Sequence, residues 1–479
     1  MLMIQRAEIV PMGLSLQFLG ATRQVTGSCY LLTVDDTRIL VDGGMFQERD
    51  YQSRNWSAFP FDPKDIDFLL LTHAHLDHTG LIPKLAHDGL TAPILTTAAS
   101  RDIAQIILED AAHIQEEDAA YKKKRHQKEG RSGAYPETSL YSVRDVQTAM
   151  LLFKPVSYHQ PVTLNDAVTA VYHDAGHILG SAMIELTVKA ATGTRTIVFS
   201  GDIGQSNKPI VRDPATFARA DYVVMESTYG GRRHDKTDEV ADQFSRIINE
   251  TVEAGGNLII PTFAVERAQE LLFHLGRLVY DDRIPNLTAF LDSPMAVDVT
   301  DVFRRHRDLM DEEAKARWDA GERLFRFPGL KLIQSSQDSK GINRFRGSSI
   351  ILAGSGMCTA GRIKHHLVLN IARPECTILF VGYQAEGTLG REILDGKKTV
   401  RILGETRKVK ARIEQVQGLS AHADHDGLMS WIGSLQSPPR SIFLTHGEAS
   451  AAEALAQSIR EDLAFDVQIP TYRQSIELT

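Results

Sequence analysis

The sequence predicts an α/β protein: a two-sheet sandwich that carries a second, parallel-sheet module. Three observations predict it. Up to about residue 202 the chain reads as short strands with tight turns, at residues 29–34, 38–41 and 196–199, with helices such as 81–87 between some of them. Strands so close together favour a sandwich over a doubly wound parallel sheet. From about 231 to 404 the rhythm changes to strand, loop, helix: 258–261 before 266–272, 350–353 before a helix near Arg362, and 377–381 before a helix at Arg391. These are βα units of a separate parallel sheet. Lastly, one pattern recurs at four places: an apolar strand, then a metal-ligand side chain, then a glycine nearby.

The strongest of the four is Thr72-His73-Ala74-His75-Leu76-Asp77-His78, which follows the apolar run 67–71 and precedes Gly80. Three imidazoles and a carboxylate leave the core together where a strand ends. Neutral imidazole and carboxylate are ligands that zinc accepts. A solvated turn would scatter polar residues instead of setting HxHxDH at the mouth of a strand. His177 in Ala175-Gly176-His177, Asp202 after 197–201, and His446 after 442–445 repeat the pattern. Each alone reads more readily as a satisfied structural residue; together they supply enough ligands for two ions. Two metals about 3.5–4 Å apart suit phosphodiester hydrolysis. Asp202 is the candidate bridging carboxylate. His422, in Gly418-Leu419-Ser420-Ala421-His422, sits at another strand-to-turn junction, and Glu226 follows the apolar run 222–225. A carboxylate beside an imidazole raises its pKa and suits it to general-acid work. From spacing alone His422 could equally be a further ligand or a plain turn residue.

The 479 residues exceed one ordinary core, so two or three domains are expected. A net charge of −8 means that a nucleic-acid partner would need a local basic patch. Cys29, Cys358 and Cys376 are far apart and form no CxxC pair, so zinc must rely on His and Asp. Residues 1–20 lack a signal-peptide pattern, and no apolar run approaches the roughly 18 residues of a membrane span. A cytoplasmic protein is expected. Met12 is an alternative start, because residues 14–19 alternate like a first strand. A helical insertion runs from Ser100 through the basic stretch 122–128 into a glycine-containing loop at 130–133. Such a charge run usually marks a solvated face; a nucleic-acid contact is the sharper alternative.

Glycine-rich strand-to-helix turns present N–H groups to phosphates. Ser355, Gly356 and Met357 form such a turn, and Arg267 and Arg232, together with Arg233, Arg362, Lys364 and Arg391, lie near these turns in sequence. Ordinary tight turns are as good a reading of each loop taken singly.

These residues resemble the metallo-β-lactamase superfamily, and within it the β-CASP nucleases. HxHxDH, His177 and Asp202 match the superfamily's metal motifs, and Asp42 in Ile39-Leu40-Val41-Asp42-Gly43-Gly44 matches its structural aspartate. Glu226, His422 and His446 match the three β-CASP motifs in order. The resemblance covers nearly the whole chain and is closest to the bacterial and archaeal RNases similar to the endonuclease subunit of the cleavage and polyadenylation specificity factor. It implies a metallo-β-lactamase αββα sandwich, residues 1–230 and 401–479, with an inserted β-CASP cap, 231–400. It implies two Zn2+ per chain: His73, His75 and His177 on one, Asp77, His78 and His446 on the other, Asp202 between them. Asp77, Asp202, Glu226 and His422 would be the catalytic residues, His422 protonating the leaving group with Glu226 behind it. Ser355, Gly356, Met357, Arg267 and Arg232 would hold RNA phosphates. Histidine at 446 goes with RNA in this family, where DNA-cutting relatives carry valine. The partner is then single-stranded RNA, cut internally and/or from the 5′ end, with a homodimer among the allowed assemblies and no membrane. The long N-terminal KH modules of many archaeal relatives are not expected.

Three other readings compete. A small-molecule hydrolase needs the metal motifs but not a cap with Glu226 and His422. An RNA-binding scaffold with a dead site would have lost ligands, and none is lost here. A DNA nuclease is disfavoured by His446.

Overall fold

The computed structural model describes residues 13–130, 137–190, 193–234 and 240–479. The alternative start at Met12 and most of the loop at 130–133 lie outside them. Among the described residues two seven-stranded sheets, one six-stranded sheet and a two-stranded hairpin organise the chain. The first runs, in spatial order, Ser475–Glu477, Leu14–Phe18, Tyr30–Val34, Thr37–Val41, Phe68–Leu70, Ile94–Thr97 and Phe153–Val156. The second runs Val467–Gln468, Ser441–Thr445, Tyr222–Glu226, Gly193–Phe199, Ala182–Ala190, Val168–Asp174 and Val162–Thr163.

The alternation of side chains along each strand builds the layers. Leu70, Phe199 and Phe443 point between the two sheets, where they join Leu16, Leu32 and Tyr172. Their sequence neighbours point outward. Leu69 packs with Ile82 and Ile103 of helices Ile82–His87 and Ala98–Glu129. Val198 and Leu444 pack with Leu428 and Leu455 of helices His425–Ile432 and Ala449–Ser458. The result is the helix–sheet–sheet–helix sandwich expected of the sequence.

The third sheet is parallel at every pairing: Leu330–Leu332, Thr288–Asp292, Ser349–Ala353, Leu258–Pro261, Thr377–Phe380 and Arg412–Gln415. Its central strands are buried throughout, as a parallel sheet covered on both faces requires. Arg412–Gln415 pairs with Thr377–Phe380, so this sheet includes a short, polar edge strand after residue 400.

Helix Ala98–Glu129 is a single 32-residue element. Thr97 caps its start by accepting from Ser100 N, and Gly130 ends it at φ 62. Ile103, Ile107 and Leu108 anchor its first turns in the core, each side chain contributing about 1.5–3 kcal/mol on burial. Beyond Ala112 it is mostly exposed, Lys122, Lys123, Lys124 and Arg125 included. Its anchored end ties the sandwich to the third-sheet module: Asp102 accepts from His306 at 3.0 Å and lies 3.1 Å from Arg305. The His306 hydrogen bond, opposed by partial burial and helped by Arg305, holds the Asp102 carboxyl below its ordinary range.

A depressed carboxylate stabilises the fold fully above its unfolded pKa of about 3.9 and loses that contribution as pH falls through the folded value. Asp102→Asn is therefore expected to be less stable than the wild type near neutrality and to converge with it on acidification. Thermal unfolding from pH 7 to pH 3 measures this; parallel curves would rule the contribution out.

Candidate metal centre and active site

Strand ends gather the site. Thr37–Val41 and Phe68–Leu70 run parallel in the first sheet, and Gly193–Phe199, Tyr222–Glu226 and Ser441–Thr445 run parallel in the second. Asp42, His73, Asp202, Glu226 and His446 therefore leave neighbouring strands at the same edge. Such a carboxyl-end edge is where open α/β sheets place their ligands. Close approach is built in. A Cβ on Gly201, which has φ +53, would stand 2.9 Å from Thr72 Cβ, so glycine is required one residue before Asp202.

Asp42 organises the first motif. Its side chain accepts from Thr72 N at 2.8 Å and meets His78 Nδ1 at 2.7 Å. His78 Nε2 is thereby aimed at Asp202 Oδ1, 3.2 Å away. A carboxylate that fixes the far nitrogen of a ligating imidazole is the usual support of a metal site. Ser181 Oγ accepts from His177 N at 3.1 Å and from Ile178 N at 3.2 Å. Thr228 Oγ1 lies 3.0 Å from His446 Nδ1. Thr72, Ser181 and Thr228 were missed in the sequence; each stands within a few residues of a motif, the one signal that could have raised them.

Two groups of donors face each other across Asp202. His73 Nε2 and His177 Nε2 each lie 3.1 Å from His75 Nδ1 and 3.4 Å from Asp202 Oδ2. On the other side His446 Nε2 lies 3.3 Å from Asp77 Oδ2 and 3.5 Å from Asp202 Oδ1, the oxygen that also faces His78. The Asp202 carboxylate thus turns one oxygen to each group.

The donors fit zinc. A tetrahedral ion with bonds of about 2.0–2.1 Å spaces its ligand atoms about 3.3 Å apart, and the separations here scatter around that edge length. Burial, reinforced by neighbouring imidazoles, lowers His73 and His177 and brings His75 down to about 3. These rings are neutral and offer lone pairs. Burial opposes ionisation of Asp202, but the surrounding histidines outweigh it and hold the carboxyl well below its ordinary range. Buried His177 Nδ1 and Asp202 Oδ1 have no hydrogen-bond partner among the described residues. Lone pairs that converge on one point, beside a buried carboxylate oxygen that makes ion pairs with His78 and His446 but no hydrogen bond, suit a cation.

His422 stands beside this centre, its ring centroid 4.5 Å from that of His177. Its Nδ1 lies 3.1 Å from Glu226 Oε2 and 4.0 Å from Asp202. Burial works against its protonation, yet the charge and hydrogen bond of Glu226 raise it to about 9. Glu226, buried, also accepts from Ile203 N at 2.5 Å.

The residues expected to hold phosphate fare unevenly. Arg232 is exposed, its guanidinium 5.8 Å from the Tyr383 ring centroid. Arg267 is corrected: it is not turned to solvent. It donates to the carbonyls of Val381 and Leu419 inside the fold, contacts that sequence proximity to a glycine turn cannot reveal. The 354–357 turn does not open directly into a helix, which begins only at Ile363. Ser355 Oγ is already occupied with Thr359 N and Ala360 N, and Gly356 packs under the Phe263 ring. Arg362 binds Asp292 and Arg391 binds Asp395.

Family models match three stretches: the metallo-beta-lactamase superfamily over residues 22–99, the Beta-Casp domain over 268–393, and the Zn-dependent metallo-hydrolase RNA specificity domain over 406–470. Ribonuclease TTHA0252 of Thermus thermophilus is 39% identical over 438 residues, which span 91% of this chain and 94% of that protein. The chain belongs to the β-CASP family of the metallo-β-lactamase superfamily. It is a metal-dependent hydrolase. The transcription termination factor FttA of Methanocaldococcus jannaschii is 30% identical over 472 residues, 96% of this chain and 71% of that one. A solved structure from Enterococcus faecalis V583 shares the fold, with a TM-score of 0.56 at 11% identity, covering 97% of this chain and all of that one. Among the described residues no helix is long and apolar enough to cross a membrane.

Removing the Asp42 carboxylate frees His78 Nδ1. Asp42→Ala is expected to lose about 10–100-fold in zinc affinity, the usual cost of such a support, in competition with a chelator. Unchanged affinity would show that Asp42 does not orient a ligand.

Proposed function

We propose that this chain is a two-zinc ribonuclease that hydrolyses phosphodiester bonds of single-stranded RNA, internally and/or from the 5′ end. The observation that carries the reading is the Asp202 carboxylate, with one oxygen toward His73, His75 and His177 and the other toward Asp77, His78 and His446. When bound, two zinc ions would supply Lewis-acid charge for the phosphoryl oxygens and lower the pKa of an attacking water.

The chain's own groups do the rest. Glu226 engages His422 Nδ1, which leaves Nε2 to deliver a proton to the departing 3′ oxygen. His422 stands beside both His177 and Asp202, a position that supports delivery of that proton to a phosphate held by the metal ligands. Asp42 and Thr228 hold the His78 and His446 rings, and Ser181 holds the backbone of the His177 turn, so little reorganisation accompanies the reaction. Histidine at 446, the RNA-specificity match over 406–470 and the ribonuclease name of a relative that covers nearly the whole chain favour RNA over DNA. Arg232, exposed and beside the Tyr383 ring, would meet a backbone phosphate. The sandwich would comprise the strands of the two seven-stranded sheets, and the cap the parallel sheet.

Zinc-loaded protein is expected to cut 5′- and 3′-labelled single-stranded RNA and to leave a matched DNA intact, with all activity lost on chelation. His422→Gln should lower kcat by about 10²–10⁴-fold, the range for a lost general acid, at unchanged zinc content. Loss of zinc from that variant would make His422 a ligand. No RNA cleavage by the zinc-loaded wild type would overturn the reading.

A further inference from the structure

Three segments of the sandwich that carry the chemistry meet at one point of the cap. The first is the turn at 176–181, with His177. The second follows Asp202: Ala423 N donates to Ile203 O at 2.8 Å and Gln205 N to Ala421 O at 3.2 Å, so this segment lies along the third, which holds His422. Their meeting point is the start of helix Arg267–Tyr280. Glu266 Oε2 accepts from Leu179 N at 3.1 Å, two residues beyond His177. Lys208 Nζ donates to Glu270 and, at 3.3 Å, to Gly418 O. Arg267 donates to Leu419 O, three residues before His422, and to Val381 O at the end of a cap strand, and it faces Glu270 at 3.5 Å.

All four side chains are withdrawn from solvent: Lys208 is 10% exposed, Glu270 4%, Arg267 11%, and Glu266 7% as a residue. Glu266 is also held at φ 61, a setting that residues with a Cβ avoid. Buried ion pairs are weak contributors to stability, and well-packed apolar replacements are often neutral. A network with this cost, which joins both catalytic loops to the end of a cap strand, points to placement of those loops.

We propose that Lys208, Glu266, Arg267 and Glu270 are positioning residues through which the cap sets the geometry of the His177 and His422 loops. The cap is then part of the catalytic scaffold and not only a cover over the substrate. The kinetic part of this inference rests on the ribonuclease reading; the zinc-binding part does not.

Two sets of variants test it. In Lys208→Met/Glu270→Met the pair is replaced by apolar side chains of similar length. The expected result is a folded protein whose kcat on single-stranded RNA falls about tenfold or more, the scale of a lost support to an active-site group, with KM essentially unchanged. Wild-type kcat in this variant, or a raised KM at unchanged kcat, would overturn the proposal. Glu266→Ala should weaken zinc binding about tenfold in chelator competition, while Glu266→Gln, which keeps an oxygen for Leu179 N, should restore it. Equal zinc affinity in the Ala and wild-type proteins would also overturn it. If the wild type cuts no RNA, the ribonuclease reading falls, and the zinc measurements on the Glu266 pair still decide the clamp.

Discussion

The Asp202 carboxylate is the constraint around which this molecule is arranged. It is buried among His73, His78, His177 and His446, each within 3.5 Å of one of its oxygens. A buried carboxylate is tolerated only where charge and hydrogen bonds compensate it. Here the compensation comes from imidazoles on three separate stretches of chain: burial lowers His73 and His177, whereas the neighbouring carboxylates raise His78 and His446 against their burial. Neutral His73 and His177 offer lone pairs instead of charge, and the pairing of His78 and His446 with Asp202 is what keeps the carboxylate ionised.

The sandwich supplies that arrangement through its topology. Parallel strands end in the same plane, and tight glycine turns let Asp202 and His177 approach without clashes. Asp42 adds a second tier by gripping both Thr72 N and His78 Nδ1. The cap then contributes from the opposite side, through the buried side chains that open helix Arg267–Tyr280. One continuous apolar cluster, in which Ile103 and Ile107 of the long helix join Val299 and Phe303 of the cap, fixes the two bodies together. Positional accuracy at the centre thus depends on contacts well outside it.

Much of this was legible in the sequence because the informative signals are local. HxHxDH is contiguous, and His177, Asp202 and His446 each follow an apolar run and sit beside glycine. The layered fold was likewise readable from strand spacing and βα rhythm. What escaped was set by distance along the chain. Arg267 lies 114 residues from Val381 and 152 from Leu419, the carbonyls it serves. Its neighbourhood in sequence suggested a phosphate ligand, whereas its neighbourhood in space is the interior. Lys208 and Glu270, 62 residues apart, form an ion pair that no periodicity announces. A strand before His422 was legible, but its place in the third sheet was not, because its residues are polar and only its pairing with Thr377–Phe380 puts it there.

Diffraction from crystals of the zinc-loaded protein at the zinc absorption edge would show whether Asp202 joins two metal ions. Two anomalous peaks about 3.5–4 Å apart, one on each side of the Asp202 carboxylate, are expected. A single peak, or two peaks of which neither contacts Asp202, would contradict a bridging Asp202.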